Sequence, residues 1–215
     1  MTPAEPSTHE ATRLIEPRVD DTLAHYAVTI VPTVPSSYPR QIGLACGDYN
    51  VHALLDAFDI EYEAEPEPPR RVRLFGLSFV TDLRDALARH GVETAVRHAS
   101  ELHDESRLAL LRGHIDSHEP VILAIGNGHL SRTRDSALAR ALLGHYITIY
   151  GYDAGRGVFF VYDPYLEGEP NEQLPAGNVE RTAEEVLRDW GGPIYYRWIG
   201  MDHVYLPVSA PSPGR

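Results

Sequence analysis

Residues 144–163 read Gly144-His145-Tyr146-Ile147-Thr148-Ile149-Tyr150-Gly151-Tyr152-Asp153, then Ala154-Gly155-Arg156-Gly157, then Val158-Phe159-Phe160-Val161-Tyr162-Asp163. His145 to Tyr152 alternates in character, and Val158 to Tyr162 is dense in β-branched and aromatic residues, the pattern of two strands. Asp153, Gly155 and Gly157 supply the turn between them. In a simple hairpin the first residue of one strand lies opposite the last of the other. His145 and Asp163 then become cross-strand neighbours, with Cβ atoms about 4.5–5.5 Å apart. A carboxylate so placed holds one imidazole nitrogen, stabilises the imidazolium and leaves the other nitrogen to take a proton. Taken singly, His145 is a partly buried strand-edge histidine and Asp163-Pro164 a strand-ending turn. Only their joint placement points to chemistry.

Working outward, Val121 to Ile125 is a short apolar run that reads as a strand. Before it, a helix is expected from about Asp104 to Ser117, with Leu108, Leu111 and Ile115 on one face and Pro120 as its stop. A further helix, capped by Thr81 or Asp82, runs through Leu83, Ala86, Leu87 and His90 to Gly91, with a short strand following at Glu93 to Arg97. Val51, Leu54, Leu55 and Phe58 mark an apolar helical stripe just after Cys46. Tyr26, Val28 and Ile30 suggest an early strand, and Pro32, Pro35 and Pro39 an extended approach to Gln41. Helices thus come first and an antiparallel sheet second, an α+β fold. Residues 1–20 read as a flexible N-terminus, 21–206 as a single domain, and 207–215 as a flexible C-terminal tail. The charged, Pro-containing stretch Glu61 to Arg71 reads as a solvated connector.

The 215 residues are enough for one core, and the formal net charge of -12 argues against nucleic acid or an anionic membrane as partner. No apolar run approaches the roughly 20 residues of a membrane span, and residues 1–18 lack a secretory pattern, so a cytoplasmic setting is expected. There is no Lys, which removes Schiff-base chemistry, and one Cys, which removes an internal disulfide or a multi-cysteine zinc site.

On residue type alone, Cys46 reads as a buried small residue. Its surroundings, Gln41-Ile42-Gly43-Leu44-Ala45-Cys46-Gly47, suggest otherwise. A thiol in the first turn of a helix meets the positive end of the macrodipole, which favours thiolate. Gly47 leaves room for a carbonyl, and the Gln41 amide with the Cys46 N–H can form an oxyanion hole.

The Gln-x4-Cys-Gly segment heading a helix, followed about a hundred residues later by the His145 and Asp163-Pro164 segments, resembles the C39-like peptidases of the papain-like superfamily. The resemblance runs from about Gln41 to Leu166. It implies a papain-like fold, with the nucleophile helix in an N-terminal helical half packed on a C-terminal antiparallel sheet. By that resemblance Cys46 is the nucleophile, His145 the base, Asp163 its orienter and Gln41 the oxyanion-hole residue, with no cofactor and no metal. The implied activity is thiol-dependent acyl transfer on a peptide, amide or acyl-thioester substrate, with hydrolysis by a cysteine peptidase preferred. Ala45 stands where many members carry an acidic residue, and the transporter domains of the leader peptidases are missing, so leader cleavage is not expected. The alternatives are a biosynthetic acyltransferase moving an acyl group from a carrier-protein thioester to an amine, and a non-catalytic peptide-binding module.

Other polar features are set aside. His114 and His118 share a helix face but have no evident third metal ligand. His129 is a weaker rival to His145, and Trp190, Tyr195, Tyr196 and Trp198 read as core or edge-strand aromatics. Gly126 to Gly144 is longer than an ordinary connection. It reads either as a lid with a flexible Gly126-Asn127-Gly128 start or as a surface helix packed by Leu138 and Leu142.

Overall fold

The His145 run forms the centre of the sheet. In the computed structural model, which describes residues 28–62, 79–131, 134–166 and 174–211, strand β6 (Gly144–Asp153) is buried from His145 to its end. A strand buried on both faces must be covered by other elements on each side. On one edge β6 pairs antiparallel with β3 (Val121–Gly126) and, further along, with β1 (Val28–Ile30); on the other it pairs with β7 (Val158–Tyr162). The sheet runs β2 (Arg97–His98), β9 (Val204–Pro207), β3, β6, β7, β8 (Val179–Thr182), with β1 as the seventh strand.

The helices cover this sheet. Helix α1 (Cys46–Ala57) places Val51, Leu54 and Leu55 in the core, where each buried aliphatic side chain contributes about 1.5–3 kcal/mol. Phe58 caps α1 from just outside it and packs partly buried on the same core. Helix α2 (Val80–Arg89) begins earlier than the Thr81 or Asp82 cap predicts. Asp82 acts from the third helical position, accepting from the Phe79 N–H at 2.7 Å. Helix α3 (Asp104–Asp116) fits its expected bounds, and β2 starts at Arg97, with Thr94 making only an isolated bridge to Val208.

That bridge carries the sheet beyond the expected tail boundary. Pro207 ends β9, and Val208 is fully buried. Helix α5 (Ala183–Trp190) opens on a capping box, Thr182 with Glu185, and buries Val186 and Trp190. Among the four aromatics expected in the core or at an edge, Trp198 is 82 % exposed and Tyr195 and Tyr196 lie in the 3₁₀ helix Ile194–Trp198. Tyr26, residues 1–20 and most of the Glu61 to Arg71 connector lie outside the described residues.

The long connection before β6 holds a hairpin, β4 (His129–Ser131) with β5 (Arg134–Asp135), and a short helix α4 (Ala137–Leu142). Leu138 and Leu142 do not pack it down; they are 70 % and 56 % exposed. The glycines at its start answer close approach rather than mobility. A Cβ on Gly126 would lie 2.4 Å from the Arg140 carbonyl oxygen, and one on Gly128 2.4 Å from the Asp135 carboxylate.

Candidate active site

Cys46 is the first residue of α1, entered through Gly43 in the left-handed region (φ 63°). Its position is fixed one turn along the helix. The buried Asn50 amide donates to the Cys46 carbonyl at 2.8 Å and to the Tyr146 carbonyl at 2.9 Å, and accepts from the Thr148 hydroxyl at 2.5 Å. A mid-helix Asn is a poor helix former, but here it bolts the Cys46 turn to β6 beside His145.

The start of β6 is held from the other side by the 3₁₀ helix. A Cβ on Gly144 would fall 2.4 Å from the Tyr196 hydroxyl and 2.9 Å from that of Tyr195, so only glycine lets these rings close against the strand. Both hydroxyls therefore lie against the strand where it leads into His145.

His145 and Asp163, buried to 2 % and 0 % exposure, meet with Nε2 2.8 Å from Oδ1. They are not direct cross-strand partners, as a plain hairpin would have made them. β6 and β7 shift register between Ile149 and Gly151, and Thr148 lies opposite Tyr162. His145 therefore reaches Asp163 diagonally along the same face, a span that long side chains bridge. The Tyr165 ring stacks edge-on to the imidazole at 6.1 Å.

Asp163 is held on every side. Its Oδ1 also accepts from the Tyr165 N–H at 2.9 Å, its Oδ2 from the fully buried Arg181, and its backbone is bracketed by the Asn178 amide at 2.8 and 2.9 Å. Burial opposes its charge, but His145, Arg181 and the Tyr165 N–H outweigh that and hold the carboxyl well below the usual range. His145 shows the converse: burial disfavours the imidazolium, yet Asp163 and then Cys46 raise it from 6.5 to about 10. Cys46 faces the imidazole across the shared cleft and favours its charged form. With Nε2 on Asp163, the nitrogen that remains for Cys46 is Nδ1.

A second buried carboxylate continues the network. Asp189 lies 3.5 Å from Arg181 Nη1 and accepts from Arg140 Nε at 2.5 Å and Arg188 Nε at 3.0 Å, with His129 Nε2 at 3.0 Å. His129 is thus engaged with Asp189, and His114 with Glu119 at 2.7 Å. The Asp163–Arg181–Asp189–Arg140 chain ties the site to the segment that precedes His145.

Gln41 lines the same cleft as Cys46, His145, Leu142 and Leu143. Its N–H donates to the Pro164 carbonyl at 2.7 Å, joining the loop before Cys46 to the Asp163-Pro164 turn. Its side-chain Nε2 donates to the Gly43 carbonyl at 2.7 Å, which uses one of the two amide hydrogens. Of the four residues singled out from sequence, Gln41, Cys46 and His145 line one cleft and Asp163 is buried behind His145. Asn50, Asn178, Arg181 and the two tyrosines had no local pattern to mark them.

The family model described as "Peptidase_C39 like family" matches residues 79–190, which include His145 and Asp163 and begin after Cys46. Among solved structures, a double glycine motif protease from an AMS/PCAT transporter, crystallised in complex with the leader peptide, superposes with a TM-score of 0.50 at 14 % identity, covering 86 % of this chain and 99 % of that one. The peptidase domain of Streptococcus ComA, a bi-functional ABC transporter involved in a quorum sensing pathway, gives 0.47 at 16 % identity, covering 84 % and 98 %. No curated protein sequence matches. The first of these structures shares the papain-like fold with this chain.

Proposed function

The chain belongs to the Peptidase_C39 like family, and from that premise we propose that it is a cysteine peptidase-type hydrolase working through an acyl-enzyme on Cys46. The observation that carries the reading is the His145 Nε2 to Asp163 Oδ1 hydrogen bond of 2.8 Å, with Cys46 lining the same cleft as that imidazole. His145 Nδ1 takes the thiol proton, and the buried Asp163 carboxylate stabilises the resulting imidazolium. The Cys46 sulfur attacks a substrate carbonyl, and the oxyanion is received by the Cys46 N–H and the second amide hydrogen of Gln41. The imidazolium then gives its proton to the leaving amine, and water, deprotonated by His145, releases the acid. The substrate is a peptide or amide, in keeping with the leader peptide bound by the first similar structure.

No helix among the described residues is long and apolar enough to cross a membrane.

Alkylation by iodoacetamide tests the nucleophile. At pH 6 to 8 Cys46 should react faster than a free thiol of ordinary pKa about 8.5, and His145→Ala should remove the advantage. Reaction no faster than a model thiol would contradict the reading.

A further inference from the structure

The cleft beside Cys46 and His145 encloses about 490 Å³, within the range of small-molecule sites. Leu44, Leu142, Leu143, Tyr165, Tyr195 and Tyr196 form its walls, and among the described residues no Asp, Glu or Arg lines it. The Tyr195 and Tyr196 hydroxyls lie against Gly144 at one end of the cleft, and their rings add to its apolar wall. Leu44, Leu142 and Leu143 are 67 %, 56 % and 48 % exposed at its rim, apolar surface that a bound group would remove from water.

Among the described residues, two polar atoms in this wall have no partner, Gln41 Oε1 beside the proposed oxyanion site and Asn127 Oδ1 across the cleft's apolar part. Asn127 is 4 % exposed, lines the cleft, and its Oδ1 accepts no hydrogen bond. Its backbone is satisfied, the N–H donating to the Leu143 carbonyl at 2.7 Å. Buried carbonyl oxygens are nearly always paired, and one that lines a ligand cleft can be paired by the ligand. Leu143 stands two residues before His145 and Leu44 two before Cys46, so the cleft adjoins the sulfur to which an acyl group would be bonded.

We propose that this cleft receives a bulky, uncharged apolar residue of the substrate's acyl portion, and that Asn127 Oδ1 accepts the N–H of that residue, making Asn127 a specificity-determining residue. The inference rests on Cys46 being the nucleophile. It selects peptides and N-acyl amino acids over simple fatty acyl thioesters. Those lack an N–H near the carbonyl and would leave Asn127 unpaired.

N-acetyl-aminoacyl chloromethyl ketones test it, since the Cys46 sulfur displaces chloride to form a thioether that mass spectrometry locates. Inactivation by the leucine probe should be at least about tenfold faster than by the glycine, aspartate or lysine probes. Replacing the leucine probe's N–H by oxygen should slow it about tenfold, the usual cost of one lost hydrogen bond to a buried acceptor. In Asn127→Leu, which removes the acceptor while keeping the volume, that N–H to oxygen ratio should fall to about one. A glycine probe as fast as leucine overturns the proposal. So do equal rates for the N–H and oxygen probes in the wild type, or an unchanged ratio in Asn127→Leu. The wild-type comparisons decide the matter even if the variant does not fold. If iodoacetamide labels Cys46 but none of these probes does, the cleft assignment fails; if iodoacetamide also fails, the proposed nucleophile is wrong.

Discussion

Asp163→Asn isolates what the buried carboxylate does for His145. In the native site the imidazolium is favoured, its titration raised from 6.5 to about 10 against a burial penalty that pulls the other way. Asp163 leads the contributions that raise it, ahead of Cys46. Removing one adjacent opposite charge should lower the apparent imidazole titration by about 2 pH units, mid-range for such a contact. The substitution also strips Arg181 of its main partner. A buried ion pair broken on one side costs about 3–5 kcal/mol, and the low end applies because Asp189 remains 3.5 Å from Arg181 Nη1. For a chain of this length, 3 kcal/mol lowers Tm by about 6–12 °C. His145 is raised in the folded state, so its contribution is complete below 6.5 and lost as pH rises through about 10. Asp163 is lowered, so its contribution is complete above 3.8 and lost as pH falls below that value. The assay is a heteronuclear NMR titration of the imidazole, assigned against His145→Gln, with thermal melts from pH 3 to 10. The variant should titrate at about pH 8, and its fall in stability should shrink and be complete by that pH rather than continuing to about 10. An unchanged His145 titration in a folded variant would refute the pairing as the source of the imidazolium.

Gln41→Ala should lower kcat about a hundredfold with little change in KM, the usual loss of one oxyanion donor; an effect confined to KM would place Gln41 in substrate binding instead. Asp189→Asn leaves Arg181 and Arg140 facing a neutral amide and should destabilise the protein by about 3 kcal/mol, read from the urea midpoint; a change below about 1 kcal/mol would mean the Arg181–Asp189 contact carries little.

Much of this site was legible because its chemistry lies on regular elements. The strands at Val121, His145 and Val158 showed in residue type and period, and so did the apolar helical stripe with Cys46 at its head. The exact pairing did not, because a register shift between Ile149 and Gly151 depends on packing rather than on local pattern. The support around the site was equally silent. Asn50 looks like a mid-helix residue of low propensity until Tyr146 and Thr148 are beside it, and Arg181 looks like an exposed strand charge until Asp163 is. Helix α5 could have been found from Thr182 and Glu185, whose spacing is that of a capping box ahead of apolar Val186 and Trp190. Glycines at 126 and 128 suggested mobility, whereas each, like Gly144, admits a neighbour that a Cβ would strike.

The central claim is that Cys46 forms a covalent acyl intermediate, and intact-mass and peptide mass spectrometry after mixing with N-acetyl-leucine p-nitrophenyl ester tests it most directly. The account predicts a transient N-acetyl-leucyl adduct on the peptide containing Cys46, clearing as the acid is released and absent in Cys46→Ala. Turnover of the ester by Cys46→Ala at the wild-type rate, or a wild type that turns over with the adduct on another residue, would contradict it.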